Sequence, residues 1–149
     1  MSMSILRAIE EDHRKVEDML SSLKSTTAQE AQRRQTEFGG LQRELHAHMK
    51  GEEELLFPLL LDKESEDGDR DEILEMFEEH NLLRLWMDHM STIEFSHPRW
   101  GAKMDVLAEV VDHHHSEEED DIFPVAREHL DAETLEALGH RFGMVLQEA

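Results

Sequence analysis

One pattern is written twice in this chain, and it limits the fold more than any other feature. Residues 41–58 read Leu-Gln-Arg-Glu-Leu-His-Ala-His-Met-Lys-Gly-Glu-Glu-Glu-Leu-Leu-Phe-Pro. Residues 107–124 read Leu-Ala-Glu-Val-Val-Asp-His-His-His-Ser-Glu-Glu-Glu-Asp-Asp-Ile-Phe-Pro. His48 falls on His114, Glu52 on Glu118, Phe57 on Phe123 and Pro58 on Pro124, each 66 residues on. A fainter repeat precedes each copy, with the segment through His13 to Glu17 lying over that through His80 to Arg84 at an offset of 67. The chain therefore reads as two similar units in tandem. Each has a first segment carrying one His and a second carrying His-x-x-x-Glu, and two such hairpins pack with pseudo-twofold symmetry.

Four apolar stripes agree with that division: Ile5, Ile9, Val16, Leu20, Leu23; then Leu41, Leu45, Leu55 or Leu56, Leu59; then Ile73, Phe77, Leu83, Met87, Met90; then Leu107, Val110 or Val111, Ile122, Val125. Steps of three and four are those of an amphipathic helix. No strand pattern competes, so the fold class is all-α. Asp67-Gly-Asp is read as the break between the halves, and Ser96 as the N-cap that opens the fourth helix. Pro58 and Pro124 are expected to end or kink their helices, and Gly39-Gly40 and Gly51 to weaken the second. A further amphipathic segment runs through Leu135, Leu138, Phe142 and Leu146. The expectation is a single domain over 1–149, a four-helix bundle over about 4–128 with a short additional C-terminal helix over about 131–147.

Composition narrows the chemistry. With no cysteine, the chain has no disulfide, thiolate metal site, iron–sulfur cluster or cysteine nucleophile; with no tyrosine, it has no tyrosyl radical. No apolar run is long enough to cross a bilayer, and the N-terminal residues lack the layout of a signal peptide, so a cytoplasmic location is expected. Thirty-six Asp and Glu against 15 Lys and Arg give a net charge of −21, which repels nucleic acid and anionic membranes. The nine methionines are read as bundle filler. Eleven histidines are a large number for 149 residues.

Each stripe is interrupted, always by the same residue types. His13 takes the step between Ile9 and Val16, and His80 the step between Phe77 and Leu83. The second helix runs Leu45, His48, Glu52, Leu55; the fourth runs Val110 or Val111, His114, Glu118, Ile122. Residues four apart share a helical face, so each His-x-x-x-Glu pair aims one imidazole and one carboxylate at the interior. Four histidines and two glutamates converging without partners would cost several kcal/mol apiece, a cost that a metal offsets. Imidazole with carboxylate suits iron, manganese or zinc, and two carboxylates from opposite helices can bridge two ions, leaving two histidines to each. Three registers compete in the fourth helix, His113/Glu117, His114/Glu118 and His115/Glu119; the ten-residue distance to Pro124, matching that from His48 to Pro58, and the stripe both select His114 and Glu118. His46, His89, His97, His113, His115, His129 and His140 are read as surface residues or as lying behind the ligands.

The phrase His48…Glu52-Glu53…Leu56-Phe57-Pro58, repeated as His114…Glu118-Glu119…Ile122-Phe123-Pro124, resembles the hemerythrin family in its His-His-Glu cation-binding branch. The resemblance covers about residues 4 to 128. It implies an up-down-up-down bundle holding two iron ions, His13 and His48 on one, His80 and His114 on the other, Glu52 and Glu118 bridging both, with an oxo or hydroxo bridge completing the pair. It further implies that dioxygen, peroxide or nitric oxide reaches an open position. One departure weakens a simple oxygen-carrying role: Arg84 stands where a second histidine follows the third-helix ligand in oxygen carriers, and Glu17, its counterpart, either supplies a carboxylate or pairs with Arg84. Two functional classes are open, a redox or gas-binding di-iron protein, with peroxide decomposition as its enzymatic form, and an iron-sensing or iron-storing module. A ferritin-like carboxylate site is disfavoured, because only Glu10-x-x-His13 fits its Glu-x-x-His pattern and Phe77 stands at the matching third-helix position.

Overall fold

The computed structural model describes residues 3–63 and 67–149, and all regular structure among them is helical. Helix α1 (Ile5–Lys24) opens where the Ser4 hydroxyl accepts from the Leu6 N–H, and buries Ile5, Ile9, His13, Val16, Leu20 and Leu23. A short 3-10 turn, Ala28–Glu30, is fastened by the Thr27 N–H donating to the Glu30 carboxylate, and leads into α2 (Ala31–Gly51). The second rod continues as a π-helical turn, Glu52–Leu56, and then as α3 (Phe57–Lys63). Helix α4 (Asp67–Ser91) is the third rod. The fourth mirrors the second: α5 (Trp100–Glu117), a π-helical turn over Glu118–Ile122, and α6 (Phe123–His129). Helix α7 (Ala132–Gln147) comes last, its N-cap Asp131 accepting from the Thr134 N–H. The result is an up-down-up-down four-helix bundle with an added C-terminal helix. Among the described residues no helix is long and apolar enough to cross a membrane.

The prolines do not end their helices. In each rod the turn before the proline widens, so that the Phe57 N–H donates to the Glu52 carbonyl and the Phe123 N–H to the Glu118 carbonyl, five residues back. A proline ring strikes the carbonyl four residues before it in a regular helix; the wider turn moves that carbonyl aside and the helix runs on. The extra residue also slips the helical phase downstream. Leu60, rather than Leu59, becomes the fully buried position beyond the first π turn.

Two other expected boundaries move. The fourth rod begins at Trp100, not near Ser96, because the wholly buried indole packs edge-on to Phe38 and beside Phe95 and thereby fixes where the helix enters the core. Asp67-Gly-Asp forms the first turn of α4, and residues 64–66 before it lie outside the described residues.

Helix α7 packs on the bundle through Leu135, Leu138 and Phe142, against α1, α2 and the first π turn. Two glycines allow it. A Cβ on Gly139 would run into the Met3 carbonyl oxygen and stand 2.8 Å from the Ile5 nitrogen, and a Cβ on Gly51 would stand 2.6 Å from the Phe142 ring. Gly51 therefore admits an aromatic side chain rather than weakening α2, which is continuous through Gly39 and Gly40. Replacing Gly139 by alanine forces backbone apart and should destabilise the protein by about 2 kcal/mol in urea denaturation. Gly143→Ala, where nothing lies within 4 Å, should stabilise it by about 0.5 kcal/mol. Equal effects from the two would refute this docking of α7.

Candidate metal centre

The apolar core is not continuous. One buried cluster gathers Ile5, Ile9, Leu56, Phe57, Phe123 and Phe142 with their neighbours, and the other Val16, Leu20, Leu45, Leu83, Trp100 and Val111 with theirs. Between them lies a layer of polar side chains, His13, His48, Glu52, His80, His114 and Glu118, none more than 2 % exposed. All six residues picked out from the stripes meet in this one layer.

Their donor atoms form two groups that share a carboxylate. His13, His48, Glu52 and Glu118 can each place a ligand atom within 4.8 Å of the others, and so can Glu52, His80 and His114. The His13 Nε2 is 3.0 Å from Glu118 Oε1, the His48 Nε2 3.5 Å from Glu52 Oε2, and the His80 Nε2 3.2 Å from Glu52 Oε1. The Nε2 atoms of His80 and His114 face each other at 3.1 Å. Yet the Nε2 of His13, the Nε2 of His48 and all four oxygens of Glu52 and Glu118 are buried with no aligned hydrogen-bond partner. Orphaned polar atoms at such density are costly, and nitrogen and oxygen donors converging from four helices fit a hard or borderline cation.

The groups behind the layer strengthen that fit. Each of the four imidazoles gives its other nitrogen to a carboxylate: His13 Nδ1 to Glu119 at 2.7 Å, His48 Nδ1 to Asp12 at 2.7 Å, His80 Nδ1 to Glu53 at 2.6 Å, and His114 Nδ1 to Glu79 at 2.5 Å. An ionised carboxylate only accepts, so Nδ1 keeps its proton, and a ring that gives up its second proton leaves the Nε2 lone pair pointing inward, the tautomer that a metal requires. Arg14 braces Glu119 at 2.6 Å and Arg84 braces Glu53 at 2.9 Å. These anchors escape a search for apolar-stripe interruptions because they sit at its edge. The repeat nevertheless holds a signal for them: Asp12 and Glu79 each precede a histidine of the layer, Glu53 and Glu119 each follow a glutamate, and the pairs align at the repeat offsets.

His115, read as lying on the surface or behind the ligands, is 2 % exposed and stacks on the His13 ring at 3.7 Å between centroids. One expectation is corrected. Glu17 is half-exposed, pairs with Arg14 and stands outside both donor groups, while Arg84 turns to Glu53 instead. His113 is exposed and pairs with Glu117, and His89 lies beside the Trp86 ring.

Residues 4–126 match the family described as Hemerythrin HHE cation binding domain. The chain belongs to that family. HHE domains bind metal cations at a His/Glu site, and the His/Glu layer described above is the candidate for it. A relative among characterised proteins, a DNA nickase of Nostoc sp. (strain PCC 7120 / SAG 25.82 / UTEX 2576), is 29% identical over 140 residues, which are 94% of this chain. The match takes in 38% of that relative's length. The crystal structure of an HHE cation binding domain-containing protein, the Rv2633c homolog from Mycobacterium kansasii, superposes with a TM-score of 0.84 at 20% identity, covering 98% of this chain and 86% of that one. The hemerythrin-like bundle fold is thus shared.

Protons take the place of cations in the metal-free HHE layer. Burial and the neighbouring Glu52 charge push the Glu118 carboxyl up to about 7. Burial works against a charge on His80, but the carboxylates of Glu52 and Glu53 outweigh it and raise the imidazole to about 9; His48 is raised well above its ordinary value in the same way by Glu52 and Asp12. Groups raised by folding stabilise most below their unfolded values, 4.5 for a glutamate and 6.5 for a histidine, and lose that contribution as pH climbs through the raised values. Metal-free protein should therefore weaken as pH rises through about 7 and again towards about 9. Cation binding, which displaces those protons, should tighten over the same window. Urea midpoints of loaded and stripped protein should diverge with rising pH, and a constant gap would count against this picture. Asp12→Asn, which removes the acceptor behind His48, should lower cation affinity about 10–100-fold in chelator competition, whereas exposed Glu11→Gln should not.

Proposed function

We propose that this chain is a non-haem di-iron protein that binds or reduces a small oxidant or gas, namely dioxygen, peroxide or nitric oxide. In this reading His13 and His48 hold one iron, His80 and His114 the other, and Glu52 and Glu118 lie between them. The observation that carries it is the sealed layer of inward-facing donors, most of them without an aligned hydrogen-bond partner, whose imidazole rings are held from behind by carboxylates. Iron bound there supplies a change of oxidation state and a Lewis-acidic position. The protein's part is to hold donor geometry, exclude bulk water and keep the surroundings apolar. Phe57 packs 5.6 Å from the His80 ring and Phe123 6.5 Å from the His13 ring, so each half supplies an aromatic wall. Side chains this buried favour a ligand of two or a few atoms over any larger substrate. A groove of 1030 Å³ between α1, α2 and α7 touches Asp12 but none of the six donors.

Decomposition of peroxide is the enzymatic form we favour, since the chain has no cysteine for peroxide to oxidise. Nucleic-acid contact is not part of this reading despite the name of the Nostoc relative, because a net charge of −21 repels a phosphate backbone. A second reading, an iron sensor or store, draws on the same burial. A layer that is costly when empty couples cation occupancy to folding, so chelation would lower helicity or stability.

Aerobic purification, metal quantification and visible spectra before and after peroxide separate these readings. Two irons per chain with oxygen evolution from peroxide would support the enzyme. A stable spectral shift without turnover, together with a melting temperature that falls on chelation, would support sensing or storage. A colourless protein that takes up no ferrous iron anaerobically would end both.

A further inference from the structure

Resting on the di-iron reading, we propose that Phe142 of α7 is a specificity-determining residue, whose ring stops the groove between α1, α2 and α7 short of the metal layer and keeps molecules of the groove's size from the iron. The groove measures 1030 Å³, and Asp12, Glu44, Gly139 and Gly143 are among the residues that line it. It is wide enough for an organic molecule, and it passes beside the carboxylate that holds the His48 ring. Both of its walls lead on to the same place. On α2, His48 follows Glu44 by four residues and so shares its helical face. On α7, Phe142 follows Gly139 by three residues and precedes Leu146, which also lines the groove, by four. The Phe142 side chain is wholly buried, enters the notch at Gly51 and meets the His48 ring edge-on at 5.5 Å. One aromatic ring thus stands where the groove would otherwise run on to His48.

A packing role alone does not account for this arrangement. Leu135 and Leu138 already fasten α7 to the apolar cluster, and a helix selected only for stability would carry side chains along the rest of its buried edge. Two glycines line the groove beside Phe142 instead. At Gly139 the close backbone of Met3 to Ile5 demands one. At Gly143 nothing lies within 4 Å of an added Cβ, so glycine there gives up helix stability and leaves open space. The groove is therefore kept wide as far as Phe142 and closed at it. Removing the ring would join a ring-sized void beside His48 to a groove that is open to solvent.

Azide binding to the iron-loaded ferric protein, followed by its visible charge-transfer absorption, reads access to the metal without turnover. Phe142→Ala should speed azide association at least about tenfold, the scale on which small steric differences discriminate. A loosened bundle also speeds entry, and a second substitution separates the two causes. Gly143→Trp fills the groove from its open side and should return the Phe142→Ala rate to that of wild type. Alone, Gly143→Trp should leave the wild-type rate unchanged, because the groove is already stopped. Phe142→Leu should show a smaller acceleration with the same reversal, and it decides the matter where Phe142→Ala does not fold. Iron-loaded, folded variants no faster than wild type would overturn the proposal and leave the di-iron reading intact. An acceleration that Gly143→Trp does not reverse would overturn it as well. A wild-type protein that takes up no iron would remove both.

Discussion

Charge without water is the condition to which the rest of this molecule answers. Two glutamates and four histidines sit at the centre of a bundle, between two hydrocarbon clusters, and each loses its hydration there. The fold meets that loss in stages. Facing donors are held within 3.0–3.5 Å of one another, so that protons or cations can be shared among them. Carboxylates behind the rings satisfy the outer nitrogens, and arginines at the bundle surface brace two of those carboxylates. The charge is thereby passed outward, from a dry interior to half-exposed Glu53 and Glu119 and then to Arg84 and Arg14, where water screens it.

The π turns belong to the same solution. Both begin at a carboxylate of the layer, Glu52 or Glu118, and both end one residue before the phenylalanine that walls the layer. A regular helix would repeat its inward face every three to four residues. The wider turn instead lets Leu56 and Leu60, or Ile122 and Ala126, resume an apolar face just beyond the carboxylate. Pro58 and Pro124 make the regular alternative worse, since each would meet the carbonyl four residues earlier. The Phe-Pro terminators of the repeat thus help to position the glutamates rather than to end the helices.

Much of this was legible in the residues, and the parts that were not share a cause. A ligand must interrupt an apolar stripe, which is why His13, His48, Glu52, His80, His114 and Glu118 stand out as the candidate layer. Asp12, Glu53, Glu79 and Glu119 occupy the stripe's edge, where a carboxylate that anchors an imidazole looks like any other of 36 acidic residues. The register argument that selects His114 does not by itself separate a surface histidine from one behind the ligands, and His115 is buried, stacked on His13. The start of α5 eluded cap chemistry because a buried tryptophan, not a hydroxyl, determines it. Side-chain volume in the tertiary core outweighed the local signal.

The two halves are alike in sequence but not in surroundings, and the differences fall on one side. Helix α7 lies against α1, α2 and the first π turn, and its Phe142 meets the His48 ring edge-on at 5.5 Å. That contact exists because the repeat has Gly51 in the first half where Glu117 stands in the second; the glycine leaves room for the aromatic ring, and the glutamate does not. His115 reaches towards the same side, 5.7 Å from the His48 ring. The His13–His48 end of the layer is therefore closed twice, by an added helix outside and by an added imidazole within. The His80–His114 end has neither, and is bordered by half-exposed Glu53, Glu79 and Arg84. The pseudo-twofold of the repeat therefore holds for the six residues of the layer but not for what encloses them, and the two ends of the layer differ in how far they are shut off from solvent.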